Sequence, residues 1–254
     1  MAADLTMAVD APVADLPEIA RAICNRYTGV GGDGWMIVDP TGGADYDAVI
    51  RLFNSDGSEP ELSGNGTRCA ALLLRAEFPE EIRLRTGAGV KHLRLTRIQH
   101  GCEFLYEMNM GDVRVVELHA KVQGFDSVIV NVGNPQCAVI VKDFNFDWRA
   151  AGSALENNPR FPNRTNVSFI RAEDRHCIDV RFWERGAGET NSSGTGSTGA
   201  ALAAVARGLA DSPVTVHTPA GLLTVRMENG TWLTGPAEYV ADGFFHHHAR
   251  MVPE

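Results

Sequence analysis

Apolar and polar positions alternate so that the chain falls into two runs of the same order. Residues 16–26 put Ile19, Ala20, Ile23 and Cys24 on one helical face behind Pro17, which predicts a helix. Residues 35–39 read as a buried strand, and 47–54 set Ala48, Ile50 and Leu52 against Asp47 and Arg51 with period two. A helix is predicted over 66–78, stopped by Pro79, followed by strands at 82–86, 90–96 and 103–108. The second run has strands at 113–117, 127–132 and 136–141, a helix at 147–155 and strands at 166–171 and 177–184. A helix at 197–210 and a meander at 214–217, 222–227 and 231–235 complete it. The join falls near Gly111-Asp112, giving halves 1–112 and 113–240, with a tail at 241–254 that can pack on the first half. Strands outnumber helices and the connections are short, so an α+β fold rich in antiparallel pairing is expected over a parallel βαβ sheet.

The halves resemble each other most at two short strings. Ser63-Gly64-Asn65-Gly66 recurs as Ser193-Gly194-Thr195-Gly196, and Ala70-Ala71-Leu72 as Ala200-Ala201-Leu202, at a constant offset of 130 residues. Each string sits where a helix begins. Free N–H groups and the helix dipole make such a start a place for negative charge, and two of them can hold one carboxylate from opposite sides. A carboxylate so held has a more acidic α-carbon, because the donors favour the enediolate-like charge left when the α-proton departs. The plainer role for Ser63 and Ser193 is that of helix N-caps. Residues 194–199 and 29–34 also fit GxGxxG, but neither sits between a strand and a helix with an acid at the proper distance. No lysine completes a P-loop either.

Composition narrows the partners. A formal charge of −9 with no basic run speaks against nucleic acid or an anionic membrane. Cys24, Cys69, Cys102, Cys137 and Cys177 are scattered, without a CxxC pair, which suits reduced thiols in a cytoplasmic protein rather than a disulfide framework or zinc site. The first twenty residues carry acids where a signal peptide needs basic residues, and no apolar run is long enough to span a membrane. His246-His247-His248 reads as a solvated tail, so no metal site is expected.

Five strings in order along nearly the whole chain resemble the diaminopimelate epimerase family: residues 53–71, 132–137, 164–169, 184–201 and 233–244. The resemblance implies two pseudo-symmetric domains, each a sheet curved around a central helix, with a small zwitterionic amino acid between them. It implies no cofactor, and a homodimer fits the family. Carried over by position, Asn54, Asn134 and Asn166 hold the distal end of the substrate, and Glu184 and Arg185 hold that end and the approach to the reacting centre. Gly64, Asn65, Gly194 and Thr195 offer N–H groups to the α-carboxylate.

The departures lie at the acid and base positions. The family moves its proton with two cysteines; here those positions are Ser63 and Ser193, and the histidine expected after Asn-Pro is Gln136. Residues 3–10 match only the end of the family's first strand, with Ala3 at the position of a substrate-binding asparagine. Either the natural start lies upstream or that strand and ligand are missing. The expectation is therefore an epimerase acting on LL-diaminopimelate, with Ser63 and Ser193 at the transfer positions and weakened turnover. The alternatives are a one-base isomerase or dehydratase of the same fold, or an inactive amino-acid-binding relative.

Overall fold

The computed structural model describes residues 4–7, 15–99 and 101–246. Ala3, His247 and His248 lie outside the described residues. The first half consists of β1 (Asp4–Met7), α1 (Leu16–Cys24), β2 (Gly34–Asp39), β3 (Ala48–Asn54), α2 (Gly64–Leu73), β4 (Glu81–Thr86), β5 (Gly89–Gln99) and β6 (Glu103–Asn109). The second opens with a hairpin, β7 (Arg114–Val122) and β8 (Phe125–Asn131), then β9 (Pro135–Ile140), α3 (Trp148–Glu156), β10 (Asn166–Asp174) and β11 (Cys177–Glu184). It ends with β12 (Gly188–Thr190), α4 (Gly194–Ala206), β13 (Val214–Thr218), β14 (Gly221–Arg226) and β15 (Trp232–Glu238).

The strands form one continuous sheet in the order β1-β2-β3-β4-β5-β6-β15-β14-β13-β11-β10-β9-β8-β7, with β12 on β11. Its pairings repeat. β1–β2, β3–β4, β9–β10 and β11–β13 are parallel, and the pairs that follow each within a half are antiparallel. The sheet is thus mixed but rich in antiparallel pairing, as expected, and the positions of the parallel pairs are what the sequence did not show. Side-chain alternation reports which face a strand buries but not which way its neighbour runs. The halves meet where β6 pairs with β15, from Glu103 opposite Glu238 to Asn109 opposite Trp232. Glu107, buried on β6, takes Arg94 at 2.6 Å and Arg226 of β14 at 2.8 Å, so the seam is tied by charge as well as by backbone.

Each half wraps its sheet around one helix. α4 is small or apolar on every side, with Ala200, Ala201, Ala203 and Ala204 fully buried, as befits a helix enclosed by sheet. Ala70 and Ala71 play the same part in α2. Both helices end earlier than expected. α4 stops at Ala206 because Gly208 takes φ +67, with Gly208 N–H donating to Val205 and Leu209 N–H to Ala204. α2 stops at Leu73 and turns through Leu74, whose carbonyl takes the Glu77 and Phe78 amides. Phe245 packs on the cluster of Leu16, Ile19, Ile23, Trp35 and Phe53. Among the described residues no helix is long and apolar enough to cross a membrane.

α3 packs on β11 through Gly152, where an added Cβ would lie 2.8 Å from Trp183 Cβ and Cγ. Gly152→Ala is therefore expected to destabilise the protein by about 1–3 kcal/mol. In a chain of this size that lowers Tm by several degrees. An unchanged Tm in a thermal melt would show that α3 and β11 have slack between them.

Candidate active site

The two serine–glycine strings start α2 and α4 directly. The helices begin at Gly64 and Gly194 rather than at Gly66 and Ser197, because the serines cap them. Ser63 and Ser193 are both extended (φ −125 and −143), and each Oγ accepts the N–H three residues on, Gly66 at 3.2 Å and Gly196 at 3.1 Å. Capping uses an oxygen lone pair and leaves the hydroxyl proton available to a second partner.

The two helix starts face each other. A Cβ built on Gly64 would lie 3.5 Å from Gly194 Cα, and one on Gly194 would lie 3.5 Å from Gly64 Cα and 3.1 Å from Leu233 Cδ2. The two helix starts are therefore within van der Waals range of each other. The amides of Gly64, Asn65, Gly194 and Thr195 occupy the first positions of their helices and have no helical acceptor. Two positive dipole ends at this range repel, and an anion bridging them relieves the repulsion. Asn65 is held from behind: its Oδ1 accepts Arg68 Nη2 at 2.7 Å, while Arg68 Nε donates to the Pro236 carbonyl across the seam.

Beside Ser193 lies a titratable group. Glu184 accepts the Thr190 hydroxyl at 2.8 Å, and the Ser193 hydroxyl lies near enough to its carboxyl to lower its titration. Burial pushes its carboxyl above the ordinary carboxylate range, and the Thr190 and Ser193 hydroxyls only partly oppose the shift. Ser193, 6% exposed, thus accepts from a helix amide beside a carboxyl. The first half lacks this arrangement. At the position equivalent to Glu184 stands Asn54, exposed, its amide donating to Ser58 in its own turn at 2.9 Å. At the position equivalent to Thr190 stands Pro60, which has no N–H for a strand pairing like that of Thr190 with Phe182. Between β3 and β4 there is instead a cavity of about 430 Å³, with Leu52, Pro60, Ser63 and Arg85 on its wall.

The remaining polar residues gather at the α4 end. Gln136, 1% exposed, donates from Nε2 to Asn134 Oδ1 at 2.7 Å and to Thr195 Oγ1 at 3.2 Å, and Asn134 Nδ2 reaches Thr195 Oγ1 at 3.4 Å. Gln136 Oε1 has no hydrogen-bond partner among the described residues. Asn166, opposite Gln136 in the β9–β10 register, donates to the Pro135 carbonyl and accepts the Arg185 amide at 3.0 Å. Arg185 reaches the Asn163 carbonyl at 3.2 Å. Asn134, Asn166, Glu184, Arg185, Ser193, Gly194 and Thr195 thus sit on adjoining segments of the second half, with Ser63, Gly64 and Asn65 brought up by the seam. Asn54 is engaged outside these clusters.

No cysteine takes over the acid–base positions in these contacts. The buried Cys137 thiol, next to Gln136, is pushed up to about 11 by desolvation. Among the described residues no group of three or more His, Cys, Asp or Glu side chains could hold a metal ion. Sequence reasoning passed over Thr190. Its signal was its place between Glu184 and Ser193 in the repeated loop.

The diaminopimelate epimerase family profile matches residues 4–116 and 128–240. A diaminopimelate epimerase of Desulfitobacterium hafniense is 38% identical over 92% of this chain and 89% of its own, and one of Pelotomaculum thermopropionicum 36% over 90% and 89%. Among solved structures, a predicted epimerase from Pseudomonas aeruginosa aligns with a TM-score of 0.66 at 17% identity, covering 94% of this chain and 93% of that one. A hydroxyproline epimerase from Agrobacterium vitis, with trans-4-hydroxy-L-proline bound, aligns with a TM-score of 0.66 at 16% identity over 87% and 78%. The structures share the fold, and the sequence matches span both halves: the chain belongs to the diaminopimelate epimerase family of isomerases.

Proposed function

We propose that the chain is a cofactor-independent amino-acid epimerase acting on diaminopimelate, converting the LL to the meso form slowly. The substrate α-carboxylate lies between the starts of α2 and α4. Asn134, Asn166 and Arg185 receive the distal end, and Ser193 and Ser63 face opposite sides of the α-carbon. The carrying observation is the approach of the α2 and α4 starts, Gly64 against Gly194, with the raised Glu184 carboxyl beside the Ser193 cap. On that side the α-proton passes to Ser193 Oγ as the Ser193 hydroxyl proton passes to Glu184. The charge left on the substrate carboxylate is met by the helix amides. A raised carboxyl is a stronger base than an ordinary one, and it serves only once ionised, so activity rises with pH through its titration. On the other side Ser63 must give a proton from a bare hydroxyl, with Asn54 where the second half has an acid. That is the slow step.

The same asymmetry favours one second reading, an isomerase that works from the Glu184 face alone. Protein mixed with LL-diaminopimelate in D₂O and followed by NMR separates the two. Deuterium at the α-carbon with meso product supports epimerisation, and exchange with retained configuration supports one-base chemistry. Thermal stabilisation without exchange leaves an amino-acid-binding protein, and no response rejects this substrate.

A further inference from the structure

Glu156 ends α3 on the same face as Trp148, Gly152 and Leu155, and is 5% exposed. An acid in the last turn is opposed by the helix dipole. Filling that space would need only an apolar side chain. Its carboxylate instead gathers donors from two segments of the candidate site. Oε1 accepts Arg164 Nη1 at 2.9 Å and the Gly186 amide at 2.9 Å, and Oε2 accepts the Trp183 indole N–H at 2.8 Å. Its main-chain carbonyl takes the Thr165 amide at 3.3 Å. These donors bracket the site residues in sequence: Trp183 and Gly186 flank Glu184 and Arg185, and Arg164 and Thr165 lead into Asn166.

The first half fastens the equivalent turn by another device. There Arg21 of α1 donates to the Asp56 carbonyl at 3.1 Å, and Asp56 is the repeat counterpart of Gly186. In both halves a helix side chain pins the turn that follows the strand carrying Asn54 or Glu184, once as donor and once as acceptor. The first half uses a cation on an exposed carbonyl. The second buries a carboxylate, and that carboxylate also shapes the approach to Asn166.

We propose that Glu156 is a positioning residue, setting the turn that aims Glu184 and Arg185 and the segment that presents Asn166. Its catalytic consequence rests on the function proposed above; its effect on the turn does not. Glu156→Gln leaves one acceptor and sets an amide N–H₂ against the remaining donors, so the carboxylate's three bonds cannot all survive. Glu156→Asp keeps both oxygens. In the D₂O experiment Glu156→Gln is expected to lower kcat/KM for α-proton exchange about 10²-fold, with Glu156→Asp recovering part of the loss. Without substrate, ¹³C NMR of the Glu184 carboxyl is expected to show it titrating lower in Glu156→Gln than in wild type, because the loosened turn admits water.

Unchanged Glu184 titration together with unchanged exchange overturns the proposal. If wild type shows no exchange, the proposed function fails and the Glu184 titration alone decides on Glu156. If Glu156→Gln does not fold, Trp183→Phe, which removes a single donor, takes its place. A smaller shift in the same direction supports the proposal, and none overturns it.

Discussion

Replacing Ser63 and Ser193 with cysteine and Gln136 with histidine raises α-proton exchange by about 10³-fold or more. A thiol has a pKa near 8.5, which a helix start can lower until thiolate is present at neutral pH. A serine hydroxyl begins several units higher, and each unit of unfavourable ionisation costs about 1.4 kcal/mol, tenfold in rate. Both positions already sit at helix starts with an N–H directed at the side-chain oxygen, Gly66 to Ser63 and Gly196 to Ser193. A thiolate would occupy a prepared site. Gln136 lies within bonding distance of Asn134 and Thr195, so a histidine there brings a titratable group into the same cluster. Exchange rates in D₂O, compared across the single, double and triple variants, provide the check. A triple variant no faster than wild type would mean that no α-carbon is held between residues 63 and 193.

Glu184→Gln produces two effects of opposite sign. Loss of the general base lowers α-proton exchange by about 10²–10⁴-fold. Stability at neutral pH does not fall with it. The folded carboxyl titrates above its ordinary range because the part-buried site desolvates it. Below the ordinary range it is protonated whether folded or unfolded, and it contributes no difference. As pH rises from the ordinary carboxylate range to the folded titration the unfolded chain ionises first, and wild type loses stability that the variant keeps. Urea unfolding at about pH 4 and pH 8 should therefore favour the variant only at the higher pH. Equal differences at the two pH values, or retained exchange, would remove Glu184 from the role assigned to it.

The repeat was the most legible part of the sequence, because a serine and two glycines before Ala-Ala-Leu leave few local structures open to the chain. It fixed the position of both helix starts to within a turn, although capping draws Gly64 and Gly194 into the helices themselves. Strand faces were equally readable: Ile178, Val180 and Phe182 alternate inward along β11 as their spacing requires. Strand neighbours were not. The parallel partners of β3 and β11 lie across α2 and α4, and nothing local encodes that crossing. Helix ends failed where the stop is a conformation rather than a proline, as at Leu74. Glu156 left one trace, an acid on the apolar stripe of α3. Its three donors come from two separate segments, one of them about thirty residues on, that no spacing rule connects.

The β6–β15 ladder has a bearing on how such a molecule arises. A solitary half would end on an open β6, an edge that invites another copy. Two identical copies joined there would already press one glycine start against another, as a symmetric dimer with its cleft on the axis. Fusion into a single gene keeps that encounter and releases the copies from identity. One descendant could then acquire an acid at its turn and the other an amide, which is the difference now seen between Glu184 and Asn54.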